Sequence, residues 1–165
     1  MYVKVQDGVA TKYSIAALKL DNPNVSFPSD ITNAVLAEWD VYPLKSVAQP
    51  AYNELYQRLE EADPVQIDGE WCTAWNVIDL TADEVNQKRF NMSITPRQAR
   101  LLLSRMGLLT DIQTYLENQG NEEALIEWEY ATSYNRLSQW VLSVQTQMAW
   151  TDEQLDQMFI DGAKI

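Results

Sequence analysis

Apolar and polar residues mix at strand-like spacing through Tyr2-Val-Lys-Val-Gln6 and again from Val9 to Tyr13, with Asp7-Gly8 between the two runs. Such spacing puts successive side chains on opposite faces of a strand. An Asp-Gly pair suits a type I′ turn, which needs positive φ at both central positions. The pattern predicts a hairpin with strands at 2–6 and 9–13. Ser14 is placed to cap a short helix from Ile15 to Leu20, and Asp21-Asn-Pro-Asn24 then breaks the chain. Val25 to Pro28 reads as extended. Ile31, Val35, Leu36 and Trp39 recur at helical spacing, which predicts a second short helix capped by Ser29 or Asp30. Tyr42-Pro43 is expected to end it, and Leu44 to Ala48 to form a short strand. A second Asp-Gly pair, Asp68-Gly69, separates Val65-Gln-Ile67 from Glu70 to Trp75, with Gln57 to Glu61 as a further partner strand. Trp71, Thr73 and Trp75 would share one face and Cys72 the other.

Beyond residue 80 the period changes. Thr81-Ala-Asp-Glu84 and Thr151-Asp-Glu-Gln154 have the spacing of capping boxes. Thr95-Pro96 is a helix start with proline at the first helical position, and Gly107 suits its end. Thr110-Asp111 is expected to open another helix closing near Gly120, and the last helix to run to about Ala163. No strand is expected after Ile78. The reading is an α+β chain: a β-hairpin-rich domain with short helices at 1–79, a linker helix at 80–94, and an all-helical domain at 95–165.

From Gly120 to Trp150 the chain has no internal Pro or Gly, which predicts one long helix capped by Asn121. Ile126, Tyr130, Tyr134, Leu137, Val141, Val144 and Met148 would then form a stripe within an arc of roughly 80°. The stripe either packs on neighbouring helices of its own domain or pairs with another chain. Trp128 would lie nearly opposite it, and a helix apolar on two sides is either sandwiched inside its domain or covered by a partner. Trp and Tyr are favoured interface anchors, so Trp128, Tyr130, Tyr134, Leu137, Val141, Val144 and Met148 are the candidate partner-binding residues.

Composition narrows the chemistry. The 165 residues include no histidine and one cysteine, with 24 acidic against 12 basic side chains. Absence of histidine excludes a Ser-His-Asp triad, a Cys-His dyad and His-ligated zinc. A single cysteine, Cys72, excludes an intrachain disulfide, and its neighbours offer no cation to activate the thiol. A net charge of −12 opposes general nucleic-acid binding. Lys88, Arg89, Arg97, Arg100 and Arg105 cluster around a helix-turn-helix-like segment. The helix after Gly107 carries no Lys or Arg, so a DNA-reading role is not expected. The cluster is expected to meet the acidic C-terminal half or an acidic partner. Met1 to Gly8 has no signal-peptide core, and no apolar run approaches a membrane span, so synthesis in a cytoplasm is expected without membrane insertion. The carboxylate pairs Glu60-Glu61, Glu122-Glu123, Glu127/Glu129 and Asp152-Glu153 read as solvated faces or helix starts rather than a glycosidase pair. Neither a calcium loop nor a phosphate-binding glycine loop is present, and no cofactor is expected.

The chain resembles small tailed-bacteriophage proteins described as tail-associated or tail-fibre assembly proteins. The likeness lies in Met1-Tyr-Val-Lys-Val-Gln-Asp-Gly-Val9, Leu18-Lys-Leu-Asp-Asn-Pro-Asn-Val-Ser-Phe-Pro28, Val41-Tyr-Pro43, Asp68-Gly-Glu-Trp71 and Trp75-Asn-Val77. It continues in Ile94-Thr-Pro-Arg-Gln-Ala-Arg-Leu-Leu-Leu103, Gly107-Leu-Leu109, Ala124 to Ala131 and Asp152-Glu-Gln-Leu155. The resemblance implies a non-enzymatic virion tail component that binds fibre or baseplate proteins, with self-association open. Its alternative is an assembly chaperone that leaves before maturation, and a carboxylate-dependent glycan hydrolase is the remote one. No catalytic residue is carried over.

Overall fold

The computed structural model describes residues 1–165, which form an α+β chain of two compact units, Met1–Leu80 and Thr81–Ile165. The helix expected as a linker at 80–94 is therefore part of the second unit.

In the first unit, β1 (Tyr2–Gln6) and β2 (Val9–Tyr13) form the expected hairpin, in register from Gln6↔Val9 to Tyr2↔Tyr13. Asp7 and Gly8 have φ of 51° and 81°, as a type I′ turn requires. Helix α1 (Ile15–Asp21) starts at Ser14, whose side chain accepts from the Ala17 N–H. Tyr13 donates its hydroxyl to Asp21, tying β2 to the end of α1. Burial, reinforced by that carboxylate, pushes the Tyr13 phenol up to about 12. Helix α2 (Asn33–Ala37) is shorter than expected and is capped by Thr32, not by Ser29 or Asp30. Leu18 and Leu36 from these helices pack with Val41 beneath Tyr2, Tyr13 and Trp39.

Strand β3 (Val41–Lys45) starts three residues before the expected Leu44 and takes in Tyr42-Pro43, which were expected to close the preceding helix. Leu44 N–H donates to Met1 O and Val5 N–H to Asp40 O, so the Tyr2↔Pro43 pair between them is a non-hydrogen-bonded one. Proline's missing donor is thus not called on by β1. On the other side, parallel pairing with β5 (Glu70–Asp79) begins only at Leu44↔Trp71. Strand β4 (Gln57–Ile67) is one long strand rather than two, because a bulge between Ala62 and Val65 absorbs Asp63 and Pro64. It lies at the edge of the order β2-β1-β3-β5-β4, where proline is tolerated. The sheet rolls until its outer strands approach, and Lys12 of β2 pairs with Glu61 of β4. Val3, Ala10 and Leu44, with Val5, Tyr42 and Trp71, fill the inside of the roll. Cys72 is buried, as a structural cysteine would be.

The second unit holds α3 (Ala82–Phe90), β6 (Ser93–Ile94), α4 (Pro96–Arg105), α5 (Leu109–Asn118), α6 (Glu122–Tyr130), β7 (Tyr134–Asn135), α7 (Gln139–Gln147) and α8 (Asp152–Gly162). Capping boxes at Thr81, Thr95 and Thr151 open α3, α4 and α8. At the end of α4, Gly107 (φ 74°) donates to Ser104 O and Leu108 N–H donates to Leu103 O. These two bonds define a Schellman motif. A Cβ on Gly107 meets nothing within 4 Å, so any cost of adding one is conformational. Gly107→Ala is expected to destabilise the chain by about 1–2 kcal/mol. A urea midpoint equal to that of the parent would contradict this.

The long helix is not formed. Chain 131–138 leaves α6, pairs Tyr134-Asn135 antiparallel with Ser93-Ile94, and re-enters helix at α7. The second unit is therefore not all-helical, and a strand does follow Ile78. Thr132, Ser133, Asn135 and Ser138 are poor helix formers that compete for their own backbone. Asn135 shows how: its Oδ1 accepts from Leu137 N–H, its carbonyl accepts from the Ser138 hydroxyl, and its Nδ2 donates to Phe90 O.

Candidate functional site

Breaking the helix at 131–138 redistributes the seven candidate partner-binding residues. Tyr134, Val141 and Val144 are buried in the core of the second unit, and Met148 packs against it. Leu137 is half-buried. Trp128, expected opposite the stripe, is only 5% exposed and joins the same core. Its ring stacks on Tyr134 at 5.6 Å and 16°, and Trp140 meets Tyr134 edge-on at 4.7 Å. Only Tyr130 of the seven stands out in solvent, at 75% exposure, with Ile126 of the same stripe at 57%.

Arg100 of α4 closes the end of α6. Its guanidinium lies 4.9 Å from the Trp128 ring centroid, and its Nη2 donates to Trp128 O at 2.5 Å. The Tyr134 hydroxyl donates to the same carbonyl. Carbonyls in the last helical turn lack intrahelical donors, and a cation there favours the helix dipole. Burial raises the Tyr134 phenol above its ordinary value, against the opposing charge of Arg100, so the phenol stays a donor at neutral pH. The sequence placed both residues in separate groups, one basic and one aromatic. Nothing in their spacing brings them together.

A second polar cluster lies between α3, β7, α7 and α8. Asp156, 1% exposed, accepts from Arg89 Nη2 at 2.8 Å and from Arg136 Nε at 2.6 Å. Arg136 is fully buried and also reaches Asp152 at 3.0 Å, as does Arg89 at 3.1 Å. Gln145 Nε2 donates to Asp152 at 2.9 Å. Part of the basic cluster thus meets the acidic C-terminal half, through Arg89. The Gln145 hydrogen bond, followed by Arg136 and Arg89, holds the Asp152 carboxyl below its ordinary value against an opposing desolvation. A depressed folded-state pKa gives stability that is present above the unfolded value of about 4 and is lost as pH falls through the folded one. On acidification the parent is therefore expected to lose stability faster than Asp152→Asn over that window. Equal slopes of unfolding midpoint against pH would contradict this.

The other carboxylates are dispersed. Glu60 pairs with Arg58 and Glu61 with Lys12, and no group of three or more Asp, Glu or Cys side chains has metal-binding geometry. The hollow lined by Ile94, Leu103, Trp128 and Phe159 is the apolar core of the second unit, at about 50 Å³. In the first unit an open groove of about 350 Å³ lies where β3 diverges from β5, between Tyr42, Trp71 and the Lys45–Glu70 pair. A third groove, about 270 Å³, runs beside α6 between Glu123, Glu127, Ser138 and Trp140. Of the apolar stripe expected from the sequence, Ile126 and Tyr130, on one face of α6, are the two residues left exposed.

No protein-family model matches the chain, and no curated protein or solved structure matches it either. No helix is long and apolar enough to cross a membrane.

Proposed function

We propose that the chain is a non-enzymatic structural adaptor of a bacteriophage tail, binding fibre or baseplate proteins. The observation that carries this reading is the exposed Ile126–Tyr130 pair on α6, large apolar side chains left in water on a helix whose Ala124 and Trp128 are buried and whose Leu125 is half-buried. Surfaces of this composition are favoured at protein interfaces. The short-motif resemblance to tail-associated proteins supplies the setting. Binding proceeds by burial of aromatic and aliphatic side chains, while the net charge of −12 suppresses adventitious contacts. Neither a cofactor nor nucleic acid takes part, and the chain functions in the virion tail after synthesis in the host cytoplasm.

Quantitative mass spectrometry of purified phage particles tests this. The expected result is the chain at a fixed copy number that matches a tail symmetry. Absence from particles, with abundance in infected cells, would replace the resident adaptor with a departing assembly chaperone.

A further inference from the structure

Helix α6 presents to solvent a face with a defined chemical order. At about 100° per residue, Ile126 and Tyr130 sit roughly 40° apart at its centre. Glu122 and Glu129 lie on one side of this pair, and Glu123 and Glu127 on the other. All six residues are exposed, while Ala124 and Trp128 hold the opposite side in the core. The helix has no Lys or Arg, and none of the four carboxylates forms an ion pair. On the Glu123–Glu127 side the face adjoins the groove of about 270 Å³ that also contains Ser138, Gln139 and Trp140.

We propose that this face docks a basic amphipathic segment of another protein, whose apolar strip covers Ile126 and Tyr130 and whose flanking Lys or Arg side chains meet the two carboxylate rows. The proposal deepens the adaptor reading and rests on it. Charge complementarity selects the occupant. An acidic partner would face four unpaired carboxylates, and two copies of this face set against each other would bring eight together. A basic segment removes the repulsion and buries the apolar pair, Tyr130 serving as an aromatic anchor. The groove beside Glu123 and Glu127 gives one basic side chain a place between two carboxylates spaced one helical turn apart.

The test uses the full chain and a panel of synthetic amphipathic peptides with Lys or Arg flanking an apolar strip, each with a twin in which every cation is Glu. Calorimetry is expected to show binding of basic peptides that weakens with added salt, and none of the twins. Ile126→Ala with Tyr130→Ala is expected to weaken binding at least about tenfold, with an unchanged circular dichroism spectrum. Glu123→Gln with Glu127→Gln is expected to flatten the salt dependence. Equal binding of basic and acidic peptides, or no loss in the Ile126/Tyr130 variant, overturns the proposal. A parent oligomer that becomes monomeric in that variant also overturns it, because a second copy then covers the face. Presence of the chain in particles together with failed peptide binding removes only this inference. Peptide binding together with absence from particles removes only the resident-tail reading.

Discussion

Asp156→Ala is expected to lower the stability of the second unit by about 3–5 kcal/mol. The carboxylate is 1% exposed and accepts from both Arg89 and Arg136. Its removal leaves Arg136 fully buried, with only Asp152 as a counter-ion. Arg136 Nη1 already has no hydrogen-bond partner within the protein, so the side chain has little margin for a further loss. Taking one partner from a buried ion pair leaves an uncompensated charge, and that penalty dominates the loss of attraction. The cluster also joins elements distant in sequence: Arg89 from α3, Arg136 next to β7, and Asp152 and Asp156 from α8. Urea unfolding followed by far-ultraviolet circular dichroism measures the change. A loss below about 1 kcal/mol would mean that the cluster behaves as an exposed pair. Replacing Arg136 by Met and Asp156 by Leu together is expected to recover most of the loss, since a buried pair is often matched by apolar residues of similar volume. Failure to recover would assign the cost to packing around α8 or to Arg89, which also loses Asp156, instead of to Arg136.

Legibility in the sequence follows the range of the interaction. Both Asp-Gly hairpins, the Ser14 cap, the capping boxes at Thr81 and Thr151 and the Thr95-Pro96 helix start were readable because each forms within a few residues; the box at Thr95 was not. Strand β3 was half-readable: Leu44 and Lys45 lie within the expected strand, but the tolerance of Pro43 depends on which side β1 and β5 approach from. The chain break at 131–138 was the main miss. Its local signal, four short polar or β-branched residues among Thr132, Ser133, Asn135 and Ser138, was weaker than the absence of Gly and Pro. Its compensation is nonlocal. Tyr134-Asn135 pairs with Ser93-Ile94, Arg136 N–H donates to Met92 O, and the Arg136 side chain reaches Asp156 twenty residues on. A continuous helix would leave that arginine in water and those backbone groups bonded to one another. The candidate site moved with the break. A stripe drawn across one helix became core positions at Tyr134, Val141 and Val144 and an exposed pair at Ile126 and Tyr130.

Trp128→Ala is expected to cost about 3–5 kcal/mol, whereas Tyr130→Ala, two residues on, is expected to stay within about 0.5 kcal/mol of the parent. Trp128 is 5% exposed, stacks on Tyr134, meets Trp140 at 5.9 Å and carries the Arg100 guanidinium on its face. Alanine there removes the ring on which three side chains converge and leaves a cavity in a core with little room to collapse. Tyr130 is 75% exposed and lies at the last position of α6, so its truncation removes little buried area. A continuous helix from 121 to 150 gives the opposite ranking. Tyr130 then lies in the apolar seam with Tyr134 and Val141, and Trp128 faces away from it. The relative cost of two neighbouring substitutions therefore reports the helix break directly, through unfolding midpoints of three proteins. A Tyr130 loss equal to or larger than the Trp128 loss would restore the continuous helix. It would also withdraw Tyr130 from the exposed face on which partner docking depends.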